Sequence, residues 1–391
     1  MTNKNLSESI LQKRINRFKS IKRGYYSLII LITLYVLSIC APIIFNSKAI
    51  MVKYNDDYYF PLFNSIFSNK NIEAKDLGQF EIKGKKKYGQ PHYRLLKKQY
   101  QKEDKGNWVI MPLYPYDPYE EVISEKDEQF TDVNGNGVWD PSENFIDENG
   151  NGIADKYKYT NFPNSQHLLG TDNQGRDVLS RLIYGFNISI TFAIVCCFLS
   201  YIIGIIIGGT LGYFGGKVDL FGLRIIEIYG SIPFLFMLMI LATFIKPNVY
   251  ILASMYVFLT GWIGITWYVR GEFLREKSKD YVSAAVSMGQ SHWNVMFRHI
   301  LPNSLTPVIT FAPFAIIGYI SALVSLDYLG FGLQPPTPSW GELMAQGRTN
   351  LQYWHLIVSP LFSIGATLFL ITFIGEAIRE AFDPKVHSRL R

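Results

Sequence analysis

The sequence predicts an all-α protein that crosses a membrane six times and carries a long cytoplasmic loop and a large outer insert of mixed or irregular structure. Of its 391 residues, 48% are hydrophobic and only 18% are charged, whereas a typical soluble protein has about 25% charged residues. The apolar residues are also gathered into blocks of about 20 residues, the length that crosses a bilayer core. This composition excludes a disordered chain, and three cysteines exclude a disulfide scaffold.

The first apolar block, residues 25–45, contains no charged residue. A secretory signal peptide is the alternative, but its apolar region has about 7–15 residues and ends at small residues. This block is longer and ends in Pro-Ile-Ile-Phe, so we predict an uncleaved membrane helix. The other five predicted spans lie near residues 185–213, 221–245, 249–269, 305–329 and 355–375.

The distribution of basic residues predicts the orientation in the membrane. Seven lysines and arginines but only one acidic residue, Glu8, precede the first block, which places the segment 1–24 in the cytoplasm. Six crossings return the C-terminus to the same side. The loop 270–304 is then cytoplasmic, and the insert 46–165 lies outside. The net charge of +6 therefore reflects membrane topology and does not indicate a nucleic-acid partner.

The outer insert contains a basic stretch with interleaved tyrosines at 83–105, followed by an acidic stretch at 117–155. Nucleic-acid binding is one interpretation of the basic stretch. A solvated face, or contact with a partner protein or lipid headgroups, is favoured on the outer side of a membrane.

The acidic stretch contains two patterns that resemble calcium loops, within residues 132–158. The first has oxygen ligands at every diagnostic position and Gly137 at the sharp turn. In the second, Lys158 stands where the bidentate glutamate is expected. We predict that Ca²⁺ acts here as a structural clip, and the alternative is a pair of Asn/Gly-rich turns that binds nothing. The predicted ligands are Asp132, Asn134, Asn136, Val138, Asp140 and Glu143 in the first loop, and Asp147, Asn149, Asn151, Ile153 and Asp155 in the second.

The cytoplasmic residues 280–304 read DYVSAAVSMGQSHWNVMFRHILPNS. Small residues precede Gly289, and an amphipathic run ends at Pro302, which predicts a helix, a glycine break, a second helix and a proline stop. A short helix parallel to the membrane, with small residues on one face, can dock in a groove of another protein. The alternative is a simple connecting loop.

This segment resembles the coupling signature of permease subunits in ATP-binding-cassette importers, specifically the second permease of peptide and nickel systems. The residues that match this signature are Ser283, Ala284, Ala285, Gly289, His299, Pro302 and Asn303. Two further stretches resemble motifs of the same family, and they contribute Gly170, Thr171, Asp172, Gly175, Arg176, Asp177, Gly330, Pro335, Pro336, Trp340 and Gly341. Residues 114–118 and 375–384 also match, so the resemblance covers residues 20–45 and the core 166–391.

The resemblance implies a bacterial inner-membrane protein that catalyses no reaction itself. It implies a second permease subunit, two cytoplasmic ATPases that bind ATP and receive the coupling segment, and an outer binding protein that delivers the substrate. Peptides are the implied substrate, with nickel or another small solute as the alternative. Ser283 stands where the signature often has glutamate, and the outer insert is longer than family members usually have.

The helices themselves carry further signals. Glycines at every fourth position, Gly204, Gly208 and Gly212, predict a close helix contact, either inside this subunit or between two permeases. Pro233, Pro307, Pro313 and Pro360 can break or kink helices. Arg224 and Glu227 lie one turn apart, so we predict either an ion pair at the cytoplasmic edge or a polar lining of the translocation path. For Asp327 the alternatives are that it faces the substrate or that it caps its helix.

Other classes fit less well. A secondary transporter is expected to show repeated halves with carboxylates at the membrane midplane, and we find no such repeat. A membrane-anchored calcium sensor would explain the insert but not the coupling segment. An intramembrane enzyme lacks a candidate constellation, because the histidines are scattered and the H-E-x-x-H pattern is absent.

Overall fold

A computed structural model describes residues 10–68, 72–79, 89–120 and 160–382. The predicted calcium loops lie outside these residues, as does part of the basic stretch. The described chain is mostly helical and separates into two compact units. We call them the helical unit (Met1–Ser38, Gly185–Glu342 and Pro360–Arg391) and the mixed unit (Ile39–Tyr184 and Leu343–Ser359).

The helices follow the apolar blocks of the sequence. Four of them in the described residues are long and apolar enough to cross a membrane, and the number is six if each of two bent helix pairs is one span. The helices are α1 (Ile10–Ser20), α2 (Lys22–Ile39), α3 (Ala41–Ile44), α4 (Pro61–Phe67), α5 (Tyr93–Glu103), α6 (Val178–Phe214), α7 (Gly216–Gly230), α8 (Phe234–Phe244), α9 (Val249–Tyr256), α10 (Ile263–Lys277), α11 (Asp280–Ser287), α12 (His292–Asn294), α13 (Leu301–Tyr328), α14 (Trp340–Thr349) and α15 (His355–Phe382).

Two of the apolar blocks fold as bent pairs. Helices α7 and α8 meet at 68°. Pro233, the N-cap of α8, explains the break, because a proline lacks the N–H that a continuous helix needs. The segment from α9 to α10 bends by 53° after a π-helical turn at Val257–Gly261. By contrast, Pro307 and Pro313 lie inside α13 and Pro360 inside α15.

Several predicted boundaries differ from the observed ones. The first block was expected to be helical through residue 45, but α2 ends at Ile39 and a turn at Cys40 separates it from α3. The fourth block was expected to end near residue 269, but α10 continues to Lys277. Helical structure resumes at His292, within the predicted loop 270–304.

The predicted glycine row packs α6 against α10. A Cβ atom on Gly208 would lie 2.5 Å from the carbonyl oxygen of Thr266, and one on Gly212 would lie 2.7 Å from that of Arg270. A Cβ on Gly204 would collide with the side chain of Ile265. Of the two alternatives for this row, the seam within the subunit is therefore the one observed.

The mixed unit contains a small antiparallel sheet in the order β2-β1-β3. The register pairs Val52 with Tyr59 on one side and with Val109 on the other. This face of the sheet packs on α5 through Leu96 and Tyr100, which are both buried. The strands are β1 (Met51–Tyr54), β2 (Asp57–Tyr59) and β3 (Trp108–Ile110).

Candidate functional site

The coupling segment, residues 278–291, folds as the predicted helix and glycine break. Helix α11 ends where Gly289 adopts a φ of +77° and donates its N–H to the carbonyl oxygen of Val286, 2.9 Å away. A Cβ at Gly289 would meet no atom within 4 Å. Glycine is therefore favoured here by the left-handed backbone and not by lack of space. Ser291 then caps α12 by accepting the N–H of Asn294.

Glu276, near the end of α10, ties the start of the coupling segment in place. Its carboxylate accepts a hydrogen bond from the hydroxyl of Tyr281, at 2.8 Å, and pairs with the ammonium group of Lys279, at 2.6 Å. Two effects raise the pKa of Tyr281 to about 12. The larger is the burial of its hydroxyl, and the second is the hydrogen bond to Glu276. The hydroxyl therefore stays protonated at neutral pH and remains a donor.

One face of the coupling segment packs inward, and the other is open. Val282 and Ala285 are 3% and 1% exposed and pack among buried residues of α10 and α13. Ser283 and Ala284 are exposed, as is Gly289. The open surface, which we call the docking face, also carries Met288, which is 71% exposed.

A stacked aromatic pair follows the coupling segment. The rings of Trp293 and Phe297 lie 5.6 Å apart and within 8° of parallel. Both belong to the continuous helical stretch from α12 through the π-helical turn Val295–Ile300, so the pair is carried on a rigid element. Both residues also lie in the candidate membrane span His292–Tyr328, and Trp293 and Phe297 are 63% and 40% exposed.

The closing residues of the signature lie at the junction with α13. The ring of His299 contacts Oε1 of Gln290 at 2.7 Å, and the carbonyl oxygen of His299 accepts the amide of Asn303 at 2.9 Å. Pro302 was predicted to end the second helix, but this prediction was wrong. Pro302 lies in the first turn of α13, and the helical stretch runs on from His292 to Tyr328. These contacts connect the coupling segment to a long helix, so a displacement of one would move the other.

Two polar contacts connect the neighbouring helices. The hydroxyl of Tyr213, at the end of α6, lies 2.8 Å from Nδ1 of His292. Arg270 of α10 forms a two-point ion pair with Asp219 of α7, with both N–O distances at 2.5 Å. Bidentate pairs of this kind fix orientation as well as distance, so α6, α7 and α10 form one support for the segment.

Asp327 organises the second family motif. Its carboxylate accepts the N–H of Leu333 at 2.7 Å and the hydroxyl of Ser339. Ser339 in turn accepts the N–H of Gly341 in the first turn of α14. The buried side chain of Asp327 therefore holds the loop 329–341. Within the loop, Gly330 has a φ of +82° and Trp340 is 1% exposed, while Pro335 and Pro336 share a cis bond.

The first family motif forms a buried polar network in the mixed unit. Asp172 accepts the backbone N–H of Arg176 at 2.9 Å and its guanidinium at 2.6–2.7 Å. The tight turn uses Gly175 at a φ of +75°. A Cβ on Gly170 would reach the carbonyl oxygen of Asn161. Buried charges of this kind are tolerated only when they are paired and hydrogen-bonded.

The network also includes the motif at residues 114–118. Asp177 accepts the hydroxyl of Tyr114 at 2.8 Å and lies 2.8 Å from Nδ1 of His167. Burial, and then Asp177, raises the pKa of Tyr114, so its hydroxyl remains a donor. Ser180 donates to the carbonyl oxygen of Tyr116. The two motifs, joined by a contact between residues 63 positions apart in sequence, are thus one structural element.

Arg224 and Glu227 form the predicted ion pair, at 2.7 Å, and both side chains are largely exposed. In the described residues no group of three or more metal-ligating side chains occurs. The predicted calcium ligands lie outside those residues.

The sequence profile of the family described as "Binding-protein-dependent transport system inner membrane component" matches residues 200–388. This range contains the coupling segment and the second family motif. The chain is also 35% identical over 373 residues to the inner membrane ABC transporter permease protein YejE of Escherichia coli K12, an alignment that covers 95% of this chain and 96% of the relative.

The chain belongs to this family of ABC importer permeases. The prediction of an importer permease subunit is therefore confirmed. A second relative, the peptidoglycan transport system permease protein YejE of Agrobacterium fabrum, is 35% identical over 96% of this chain and 93% of the relative.

The comparisons also bear on the expectation that the outer insert is longer than in most family members. The oligopeptide transport system permease protein OppC of Haemophilus influenzae is 37% identical, but the match covers only 56% of this chain and 70% of the relative. Both YejE proteins match almost the full length. The long insert is thus unusual beside this oligopeptide permease, but these two relatives have chains of matching extent.

Proposed function

We propose that this permease subunit carries peptides into the cell and is driven by ATP that partner subunits hydrolyse. The peptide assignment is supported by relatives whose names include oligopeptide, dipeptide and peptidoglycan transport. The observation that carries the coupling role is the docking face, where Ser283, Ala284 and Met288 are exposed while Val282 and Ala285 of the same segment pack inward.

The mechanism requires the coupling segment to move with the membrane helices. ATP binding favours one of two arrangements only if the ATPases contact the segment differently in each. Glu276 connects the segment to α10, and His299 and Asn303 connect it to α13. A push on the docking face is therefore transmitted to two long helices and not absorbed in a loose loop.

We propose six membrane spans with both termini in the cytoplasm. If each of the two bent pairs is counted as one span, these pairs and the four long helices make six crossings. The basic residues before α2 support a cytoplasmic N-terminus. A second homologous permease would complete the path, two ATPases would receive the coupling segments, and an outer binding protein would present the substrate.

We also propose that Ca²⁺ clips the insert through loops 132–158 and that the clipped insert docks the binding protein. The support is the ligand spacing in the sequence and the position of a long polar segment on the proposed receiving side. Deletion of residues 121–159 is expected to lower the affinity for the binding protein. Unchanged affinity and uptake would refute this docking role.

The experiment that tests the function is uptake by the reconstituted complex. The permease is purified with its co-purifying subunits, placed in liposomes with ATP enclosed, and supplied with its binding protein and labelled peptides or nickel. We expect ATP-dependent peptide accumulation that excess nickel does not inhibit. Accumulation of nickel alone would replace the peptide assignment with the alternative solute.

A further inference from the structure

We propose that helix α1 is an anionic-lipid-binding helix that lies on the cytoplasmic surface of the membrane. The proposal uses the cytoplasmic N-terminus proposed above, but it does not depend on which solute is transported. Three independent observations in the helical unit support it, namely the charge of the helix, its attachment and the exposure of its apolar side chains.

The first observation is charge. Helix α1 has four basic residues, Lys13, Arg14, Arg17 and Lys19, and no acidic residue. Lys22 and Arg23 follow directly, and Arg23 pairs with Glu376 and Glu380 at 3.5 and 3.7 Å. In the described part of the chain, no carboxylate lies within ion-pair distance of Lys13, Lys19 or Lys22. These lysines are available for an external anion.

The second observation is attachment. Gly24 of α2 lies against Ala377 of α15. Arg14, ten residues before Gly24, lies 4.9 Å from the ring centre of Phe382, only five residues beyond Ala377, and donates to Thr306 of α13 at 3.2 Å. Helix α1 is separated from α2 by a break at Ile21, and the Arg14 side chain contacts the start of α13 and the end of α15.

The third observation is an uncovered apolar row. Leu11 and Ile15, four residues apart and thus on one face of the helix, are 60% and 45% exposed. The neighbouring face is occupied by Arg14, which packs on Phe382 and Thr306. The row is therefore not the side that attaches α1 to the described chain, and it is open to contact with a bilayer.

An anionic bilayer matches all three observations. A helix with a basic polar face and an apolar face rests at the boundary between headgroups and acyl chains. Each basic residue near an anionic surface contributes about 1 kcal/mol, which is about fivefold in binding. In the proposed arrangement Leu11 and Ile15 reach acyl chains, and Lys19, four residues after Ile15, reaches headgroups on the same side of α1. Lys13 lies on the opposite side of the helix and acts within the range of the surface potential.

The test places a bimane fluorophore at Ile15→Cys in the assembled complex, after replacement of Cys40, Cys196 and Cys197. Ser20→Cys, on the opposite polar face of α1, is the matched control. The complexes are placed in nanodiscs of phosphatidylcholine with or without phosphatidylglycerol, with brominated lipids or aqueous iodide as quenchers. We expect brominated lipid to quench position 15 more than position 20, and more strongly when phosphatidylglycerol is present.

Two outcomes would overturn the proposal. Equal iodide quenching at both positions would show that the row faces water, and protection of position 15 from both quenchers would show that a protein subunit covers it.

A second measurement avoids the cysteine substitutions. Native mass spectrometry of the unlabelled complex is expected to retain phosphatidylglycerol, and Lys13→Gln with Lys19→Gln should lower that retention about fivefold for each lysine. Retention unchanged by the double substitution would contradict the proposed role of these lysines.

Discussion

The hydroxyl of Tyr281 donates a hydrogen bond of 2.8 Å to Oε2 of Glu276 and so joins the first turn of α11 to the end of α10. The same carboxylate pairs with Lys279 through its other oxygen. Glu276 is almost fully buried, so its charge depends on both partners. The contact determines how rigidly the docking face is attached to a membrane helix, and several expectations follow from this attachment.

Removal of the Tyr281 hydroxyl should loosen the segment without unfolding the protein. A hydrogen bond to a charged group contributes about 1.5–3 kcal/mol when buried, and the partial exposure of Tyr281 reduces this to about 1 kcal/mol. For Tyr281→Phe we expect normal amounts of protein in the membrane but fewer peptides transported per ATP hydrolysed. Ser287→Ala, at the exposed end of the same helix, is the control. An unchanged transport ratio would show that this contact does not serve coupling.

Substitution of Gly289 should act through the backbone. Its φ of +77° costs an L-residue about 1–2 kcal/mol, although the side chain itself would meet no atom within 4 Å. Gly289→Ala should therefore reduce coupled uptake, and Gly289→Leu should reduce it further while ATP hydrolysis continues.

The matched control for Gly289 is Gly271→Ala. Gly271 lies inside α10, and a Cβ there also meets no atom within 4 Å. Alanine in a helix interior is more stable than glycine by about 0.5–1 kcal/mol, so uptake should be unchanged. If both substitutions impair uptake equally, the backbone argument fails.

A methyl group at Gly208 should destabilise the seam between α6 and α10. Its Cβ would lie 2.5 Å from the carbonyl oxygen of Thr266 and 3.1 Å from the N–H nitrogen of Arg270, and both belong to backbone that cannot move alone. Overpacking of this kind costs about 1–3 kcal/mol. We expect Gly208→Ala to lower the thermal unfolding temperature in detergent. Gly318→Ala, where a Cβ is unobstructed, should leave that temperature unchanged.

Calcium should bind the outer insert through carboxylates. Terbium, which replaces Ca²⁺ at oxygen ligands, is expected to luminesce when Trp139 inside the first loop is excited, and excess Ca²⁺ should displace it. Glu143→Gln should lower the affinity of the first loop because the bidentate ligand is lost. Luminescence that is identical in the wild type and in Asp132→Ala with Asp147→Ala would remove the calcium proposal.

The helix and the glycine break of the coupling segment could be predicted from the sequence because the residues that end a helix act locally. Glycine marks the left-handed turn, and this signal acts within a few residues. The predicted proline stop was wrong, because the helical stretch continues through Pro302 to Tyr328. The contact with Glu276 carried no such signal. That residue lies in the charged run REKSKD, where nothing in the spacing distinguishes a buried carboxylate from a solvated one.

The bent spans show a second limit. Pro233 was recognised as a possible break, but the π-helical turn at Val257–Gly261 has no proline and no distinctive composition. Its 53° bend depends on packing and cannot be read from hydrophobicity. Similarly, Tyr114 and Asp177 each belong to a recognisable motif, but only the fold shows that they form one hydrogen bond across 63 residues.

The central claim is that the coupling segment converts ATP hydrolysis in partner subunits into peptide uptake through this chain. The most direct measurement is the number of labelled peptides accumulated per ATP hydrolysed in proteoliposomes, compared between the wild type and Gly289→Leu. We predict that the substitution abolishes accumulation while ATP hydrolysis persists. Normal accumulation in Gly289→Leu, with an unchanged ratio of peptide to ATP, would contradict the claim.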